Sequence, residues 1–88
     1  MRRNLRILIV DDHKMVREGI RSMLEYQESK FKFFINEASD GEEGVEIAAQ
    51  NPYDVIIMDY QLPGIDGVDA ARLILKKNPE AKILALSN

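Results

Sequence analysis

The sequence predicts an α/β fold built on a doubly wound parallel sheet with strand order 2-1-3-4. Two observations carry this prediction. Four short apolar runs, at residues 5–10, 33–38, 55–58 and 83–86, alternate with segments of helical spacing, which is the pattern of strand-helix-strand units. The first, third and fourth runs are apolar at nearly every position, as strands covered on both faces require. Residues 30–33 instead alternate Lys and Phe, which favours an edge position for the second strand.

Three amphipathic helices are expected between these strands. The first covers about residues 14–26, because Val16, Ile20, Met23 and Leu24 fall at helical spacing. The charged residues Arg17, Glu18, Arg21 and Glu25 lie between them. The second begins at Asp40, with Glu43 three residues on as in a capping box, carries Val45, Ala48 and Ala49 inward and ends at Asn51-Pro52. The third begins near Asp66-Gly67, turns Val68, Ala71 and Leu75 inward and ends at Asn78-Pro79.

Length and composition limit the function classes. The chain has 88 residues, a formal net charge of −3 and no cysteine. These values predict one small soluble domain, without disulfides or thiolate metal sites. The negative charge argues against direct nucleic-acid binding. The apolar run after the basic N-terminus is too short for an export signal, and no run is long enough to span a membrane, so we expect a cytoplasmic protein with no membrane contact.

The predicted topology leaves part of the sheet uncovered. Right-handed crossovers place the second and third helices on one face of a 2-1-3-4 sheet and the first helix alone on the other. One helix about 10 Å wide cannot cover four strands that lie about 4.8 Å apart. We therefore expect one sheet face to be partly bare.

Acidic residues follow two of the predicted strands. Asp11 and Asp12 end the first strand and Asp59 ends the third. In the order 2-1-3-4 these strands are neighbours, and ligands of open parallel sheets bind where the strand order reverses. Three converging carboxylates favour a hard cation such as Mg²⁺, beside which an aspartate is a feasible nucleophile for a phosphoryl group. The alternative is that these acids are solvated turn residues.

The segment after the third strand, residues 60–67, carries one proline and two glycines. Its simplest interpretation is a turn in which Gly64 takes positive φ and Asp66 caps the next helix. A functional interpretation adds a rigid loop that directs the backbone carbonyl of Gln61 toward the acids as a metal ligand. After the fourth strand, Ser87 lies on the same rim, where its hydroxyl is either a donor to a bound anion or an ordinary turn group.

Four separated blocks of the sequence resemble the receiver domains of bacterial two-component response regulators. They are Ile7-Leu8-Ile9-Val10-Asp11-Asp12-His13, Val55-Ile56-Ile57-Met58-Asp59, Leu62-Pro63-Gly64-Ile65-Asp66-Gly67 and Leu86-Ser87. The run from Asp11 to Ile20, together with Glu37-Ala38-Ser39-Asp40-Gly41 and Ser87-Asn88, is similar to the NarL/FixJ branch, whose members usually carry a C-terminal helix-turn-helix domain. The resemblance implies the flavodoxin/CheY-like form of the predicted fold.

The resemblance also implies roles for individual residues. Asp59 becomes the phosphoacceptor for a sensor histidine kinase, and Asp12 ligates Mg²⁺ directly. Asp11 acts on the metal directly or through water, Gln61 offers its carbonyl, and Ser87 is the switch hydroxyl that contacts phosphoryl oxygens. Such a chain is a phosphoacceptor signalling domain rather than an enzyme, catalysing at most its own phosphorylation and dephosphorylation, and its parent is a DNA-binding transcriptional regulator.

The family pattern continues beyond Asn88 with a helix, a strand and a helix (α4, β5 and α5 in the family's order). These supply a Lys, an aromatic switch residue and a covering helix. We therefore expect residues 1–88 to form a partial receiver domain. An alternative function follows: the chain keeps the acidic pocket, is poorly phosphorylated, and self-associates as a dimer or domain swap through the uncovered sheet face or edge.

Three other interpretations are weaker. Haloacid-dehalogenase-type phosphatases carry a second Asp two residues after the nucleophile, where this sequence has Gln61. A P-loop NTPase requires a G-x-x-x-x-G-K-[ST] motif, which this sequence lacks. His13, the one histidine, is a candidate phosphocarrier or metal ligand, but an exposed position at the start of the first helix is the more ordinary interpretation.

Overall fold

The computed structural model describes residues 3–27 and 30–86. Strands and helices alternate along the chain as the sequence predicts, and each predicted boundary is met within about two residues. The strands are β1 (Arg3–Val10), β2 (Phe31–Ala38), β3 (Val55–Asp59) and β4 (Ile83–Leu86), and the helices are α1 (Lys14–Glu25), α2 (Gly41–Gln50) and α3 (Gly67–Lys77). None of the helices in the described residues is long and apolar enough to cross a membrane.

The four strands form one parallel sheet in the order β2-β1-β3-β4, which confirms the predicted topology. β2 is an edge strand, as its alternating pattern indicates, and its burial alternates along its length. β1 lies between β2 and β3, with Val10 beside both Ala38 and Met58. The pairing with β2 extends one residue past β1, because the Asp11 N–H donates to the Ala38 carbonyl at 3.1 Å. The carboxyl ends of β1 and β3 therefore meet at one edge of the sheet.

The side chains of β1 and β3 divide between two apolar clusters, one on each face. Leu8, Val10, Ile56 and Met58 face α2 and α3. Ile7, Ile9 and Ile57 form the other cluster, against which Ile20 and Leu24 of α1 pack. The two faces are covered by the helices that right-handed crossovers predict. The centre of the sheet is fully buried, whereas α1 itself has no buried residue.

The inward face of α3 differs from the prediction. Its buried residues are Gly67, Ala70 and Ile74, whereas the predicted inward residues Val68 and Leu75 are 49% and 39% exposed. Helical spacing identifies an apolar stripe but cannot select between two adjacent stripes, and α3 has both. α2 shows a smaller difference, since Ile47 rather than Ala49 packs on the core and Ala49 is exposed.

The prediction of a partly bare face is correct for the face that carries α1, where Leu84 of β4 is 57% exposed. It is incomplete, because β4 is also open on the opposite face. There Ala85 is exposed. Together with Val68, Ala71 and Leu75 of α3, Ala85 lines an apolar groove of about 260 Å³. The uncovered surface, defined here as Leu84, Ala85 and the Val68, Ala71 and Leu75 stripe, therefore lies on both sides of the β4 edge.

The two predicted helix caps are present. The Asp40 carboxylate accepts from the Glu43 N–H at 2.8 Å, and Asp66 accepts from the Asp69 N–H at 2.9 Å. The Glu43 side chain reaches back to the Ser39 N–H at 2.8 Å rather than to Asp40, which is a one-residue variation on the expected capping box. These caps fix where α2 and α3 begin relative to the strand ends.

Candidate functional site

The three predicted acids come together at the carboxyl edge of the sheet. Asp11 and Asp12 directly follow β1, and Asp59 is the last residue of β3. Ligand atoms of these three carboxylates and of His13 all lie within 4.8 Å of one another. Neighbouring parallel strands end at the same edge, so the topology alone brings together acids that are 47 or more residues apart in the sequence.

Burial distinguishes this cluster from acids on an open turn. Asp11 is 3% exposed and Asp59 is 8% exposed, and they are the two buried charged residues of the described chain. In residues 3–27 and 30–86, no lysine or arginine nitrogen forms an ion pair with any of the three carboxylates. Buried negative charge requires a compensating partner. The interpretation of these acids as solvated turn residues is therefore disfavoured.

His13 belongs to this cluster. Its ring is 65% exposed, as predicted, but its Nδ1 atom lies 3.3 Å from Asp11 Oδ1 and 3.0 Å from Asp12 Oδ1. Its backbone N–H also donates to Asp11 Oδ1 at 2.8 Å. His13 is the N-cap residue of α1. The sequence interpretation of His13 as merely exposed therefore misses its contact with both acids, which depends on the angle at which α1 leaves the strand end.

The loop after β3 holds the Asp59 carboxylate in place. The Gln61 N–H donates to Asp59 Oδ1 at 3.0 Å, so Gln61 lies beside the site, while the metal-ligand role of its carbonyl stays a prediction. Gly64 has φ of +75°, the positive value expected of the turn. The Ile65 N–H donates to Glu42 Oε1 at 2.7 Å, which ties the loop to α2. The loop is therefore fixed at both its start and its middle.

Gly67 packs directly against the backbone of the site. A Cβ atom built on Gly67 would overlap the Asp59 carbonyl oxygen and the Tyr60 Cα atom. The Gly67 N–H donates to the Tyr60 carbonyl at 2.9 Å, which closes the loop onto the end of β3. Only glycine permits this approach, so the start of α3 and the position of Asp59 depend on the same residue.

An ion-pair network connects α1 to β2 behind Asp11. Arg17 Nε lies 2.8 Å from Glu37 Oε1, and Arg21 Nη2 lies 2.6 Å from Glu37 Oε2. The ion pairs with Arg21 and then Arg17 hold the pKa of Glu37 below its usual value, although partial burial opposes this shift. Nothing in the sequence pattern links a strand Glu with two helix arginines, and helical spacing identifies Arg17 and Arg21 only as polar positions. Ser87, the remaining predicted site residue, lies outside the described residues.

The donor set fits Mg²⁺. Carboxylate oxygens are the ligands that hard divalent cations prefer, and Mg²⁺ typically uses one or two carboxylates together with water. The carboxylates of Asp11 and Asp59 are buried, and neither forms an ion pair with a lysine or arginine in residues 3–27 and 30–86. Asp12, at 32% side-chain exposure, lies at the solvent side of the cluster. The arrangement can therefore hold one hard cation at a site with access for a second, anionic group.

Comparisons with known proteins identify one family. The model of the response regulator receiver domain matches residues 7–88. Transcriptional regulatory protein LiaR of Bacillus subtilis is 42% identical over 84 residues, which are 96% of this chain and 39% of that protein. Response regulator UvrY of Escherichia coli K12 is 41% identical over 83 residues, or 94% of this chain and 37% of that protein. This chain therefore spans about two fifths of the length of these relatives.

Solved structures agree. A LuxR-family two-component response regulator from Aurantimonas superposes with a TM-score of 0.82 at 35% identity, covering 93% of this chain and 57% of that one. Response regulator TrrA from Thermotoga maritima, crystallised with Mg²⁺ and BeF, has a TM-score of 0.80 at 36% identity, covering 94% of this chain and 66% of that one. The similarity thus extends over nearly all of this chain and over both of its sheet faces.

Proposed function

This chain belongs to the response regulator receiver domain family, and we propose that its Asp59 accepts a phosphoryl group from a sensor histidine kinase in the presence of Mg²⁺. The observation that carries the proposal is the geometry of Asp59, which is buried at a strand end with ligand atoms of Asp11, Asp12 and His13 within 4.8 Å. Receiver domains are signalling domains, so phosphorylation here changes a conformational equilibrium rather than a substrate pool.

The two oxygens of Asp59 have different surroundings. Oδ1 accepts the Gln61 N–H at 3.0 Å, which leaves Oδ2 without a protein donor among the described residues. We assign Oδ2 as the nucleophile. It forms an O–P bond to the incoming phosphoryl group, while the P–N bond of the kinase phosphohistidine breaks and its electron pair returns to the imidazole nitrogen. The N–H on Oδ1 orients the carboxylate for this attack.

The cation site consists of Asp11, Asp12, Asp59 and the Gln61 carbonyl. When bound there, Mg²⁺ offsets the negative charges of the carboxylates and of the phosphoryl oxygens. The buried carboxylate of Asp11 and the more exposed one of Asp12 provide the hard oxygen donors on the β1 side. Ser87 donates its hydroxyl to a phosphoryl oxygen, which makes it the residue that reports phosphorylation to the rest of the domain.

The output of the whole protein is transcription regulation. Two relatives of this chain bear the names of a transcriptional regulator and a response regulator, and each is more than twice as long as the matched region. A net charge of −3 disfavours direct DNA binding by these 88 residues, so the DNA-reading part belongs to another region of the parent protein. We therefore also propose a cytoplasmic location for the protein.

Intact-mass spectrometry tests the proposal. We expect the wild-type chain to gain the mass of one phosphoryl group from a small phosphodonor with Mg²⁺, and to gain none with EDTA. Asp59→Asn removes the gain because an amide is not a nucleophile for phosphoryl transfer. Asp69→Asn is the matched control, since Asp69 is an exposed acid of α3 away from the cluster, and it keeps the gain. Persistent labelling of folded Asp59→Asn contradicts the assignment.

A second candidate function is self-association. Leu84 is 57% exposed and Leu75 is 39% exposed, on opposite faces of the sheet beside the β4 edge. Covering one large apolar side chain contributes about 1.5–3 kcal/mol, and an unpaired edge strand can be extended by a second chain. A dimer through the uncovered surface therefore stabilises this region, and in such a dimer phosphorylation is weak.

Light scattering over a range of protein concentrations tests this candidate. Self-association predicts a dimer mass for the wild type and a monomer mass for Leu84→Lys or Leu75→Lys, depending on which face is used. Met15→Lys is the control, because Met15 is 83% exposed on α1 and lies outside the uncovered surface. A monomer mass for the wild type at every concentration contradicts the candidate.

A further inference from the structure

Arg17 and Arg21 are one turn apart on α1 and share one partner, but their other contacts differ. Both guanidinium groups pair with Glu37 of β2, through Nε of Arg17 at 2.8 Å and Nη2 of Arg21 at 2.6 Å. Only Arg17 reaches the acidic cluster, because its Nη1 donates to the Asp11 carbonyl at 2.6 Å. Arg21 instead approaches the Ile35 carbonyl at 3.5 Å, farther down β2.

The contact of Arg17 completes the restraint on Asp11. The Asp11 N–H donates to the Ala38 carbonyl, and its Oδ1 atom accepts from the His13 N–H. With Arg17 on the carbonyl, the N–H of Asp11 is bound to β2, and its carboxylate and carbonyl are bound to the first residues of α1 and its N-cap. A planar guanidinium can bind two acceptors at once in a fixed geometry, and the side chain of Arg17 is only 15% exposed.

We propose that Arg17, itself held by Glu37, is a positioning residue that fixes the backbone of Asp11 and thereby the geometry of the cation site. The part of this inference that concerns Mg²⁺ rests on the proposed function. Arg17 contacts the main chain of Asp11 rather than the metal or the phosphoryl group, so its effect passes through the position of Asp11 and Asp12. Partners behind metal ligands commonly act in this way.

Positioning and simple electrostatics predict opposite results for loss of Arg17. Removing a cation near three carboxylates strengthens Mg²⁺ binding if the charge alone matters. Removing the hydrogen bond that fixes Asp11 weakens Mg²⁺ binding if the geometry matters. Arg21→Gln is a matched control for both effects, because it removes the same charge and an equivalent Glu37 contact and leaves the Arg17 contact with Asp11 in place.

The first readout is amide hydrogen exchange without Mg²⁺, followed at the N–H groups of Asp11 and His13. Native-state exchange measures local opening of the segment that carries the amide. Arg17→Gln is expected to accelerate exchange at both amides about tenfold relative to Arg21→Gln, as the loss of a charge-assisted hydrogen bond predicts. Equal exchange rates in the two folded variants overturn the proposal, whatever the protein does with Mg²⁺.

The second readout is Mg²⁺ affinity by titration calorimetry. We expect Arg17→Gln to weaken binding about tenfold, Arg21→Gln to leave it unchanged, and Arg17→Lys to recover part of the loss, because an ammonium can donate to the Asp11 carbonyl but lacks the planar fork that also holds Glu37. Unchanged or stronger binding in Arg17→Gln overturns the proposal. If the wild type binds no Mg²⁺ while the exchange difference is present, the proposed function fails and the positioning of Asp11 by Arg17 stands.

Discussion

The two inner strands and the β4 edge of the same sheet have opposite character. The carboxyl-terminal parts of β1 and β3 are covered on both faces, and Leu8, Ile9 and Val10 are fully buried. Their ends carry the buried Asp11 and Asp59. β4 is open on both faces, and Leu84 is more than half exposed. The buried acids of the cluster thus follow the best-packed strands of the molecule. The apolar surface beside β4, by contrast, is not covered by any of the described residues.

This contrast separates the acidic cluster from the surface that is open to association. The positions of Asp11 and Asp59 depend on β1, β3 and the loops that leave them. These are held by the N–H of Gln61, the backbone of Gly67 and the guanidinium of Arg17. The uncovered surface contributes little to those contacts. Changes at the centre are therefore expected to alter both folding and the site, and changes at β4 to alter chiefly association.

The largest effect is expected from a leucine deletion at the centre. Leu8→Ala removes a side chain with 0% exposure from the cluster under α2 and α3 and lowers the free energy of unfolding by about 3 kcal/mol. Leu84→Ala removes the same atoms from a side chain that is 57% exposed, so it lowers the free energy of unfolding by less than about 1 kcal/mol. Urea unfolding of both variants at low protein concentration measures the difference.

Equal losses for these two variants would contradict the contrast, because they require Leu84 to be buried in solution. The protein concentration then identifies the cause. A loss at Leu84 that grows with concentration indicates that a second chain covers the uncovered surface, which is the self-association proposed above.

An intermediate effect is expected where α3 approaches the site. Gly67→Ala places a methyl group against the Asp59 carbonyl and the Tyr60 Cα atom, so the free energy of unfolding falls by about 2 kcal/mol. Gly19→Ala is the control: the added Cβ meets no atom within 4 Å beyond the adjacent backbone of its own helix, and removing a helix glycine raises stability by about 0.5–1 kcal/mol. Thermal unfolding measures the loss of stability in Gly67→Ala and the gain in Gly19→Ala. Unchanged stability of Gly67→Ala would contradict the close approach of Gly67 to Asp59 and Tyr60.

The smallest effect is pH-dependent and concerns Glu37. Because Arg21 and Arg17 lower its pKa in the folded state, the Glu37 carboxylate stabilises the fold above its ordinary value of 4.5 and loses that contribution as the pH falls through the lowered pKa. Glu37→Gln is therefore less stable than the wild type at pH 7, by about 1 kcal/mol. The stability difference between the wild type and Glu37→Gln becomes smaller as the pH falls, because the Glu37 carboxylate becomes protonated.

Unfolding curves of the two proteins from pH 7 downward test this prediction. Glu18→Gln is the control, since Glu18 lies on the exposed side of α1 and meets Lys14 only at 3.8 Å. A pH-independent gap between Glu37→Gln and the wild type would contradict the ion-pair origin of the effect.

Sequence patterns predict the parts of this fold that depend on local chemistry or on topology. Alternating apolar runs predict every strand, and Asp40 and Asp66 predict the starts of α2 and α3. The acidic cluster also follows from the sequence, because strand order and the parallel direction bring Asp11 and Asp59 together without any detail of side-chain packing.

Features that depend on how elements pack are not predictable in this way. α3 has two adjacent apolar stripes, and only packing against α2 and β3 selects Ala70 and Ile74 rather than Val68 and Leu75. The contacts of His13 with Asp11 and of Arg17 with Glu37 depend on the angle of α1 over the sheet. Periodicity contains no information about that angle, so these contacts are identified only in three dimensions.

The position of the modified residue distinguishes Asp59 from the other side chains of the cluster as the phosphoacceptor. The wild-type chain is incubated with a small phosphodonor and Mg²⁺, the acyl phosphate is reduced with borohydride to a stable product, and the digested peptides are sequenced by mass spectrometry. We expect modification at Asp59 alone. Modification at Asp12, Asp11 or His13 instead, or no modification of the folded protein, would contradict it.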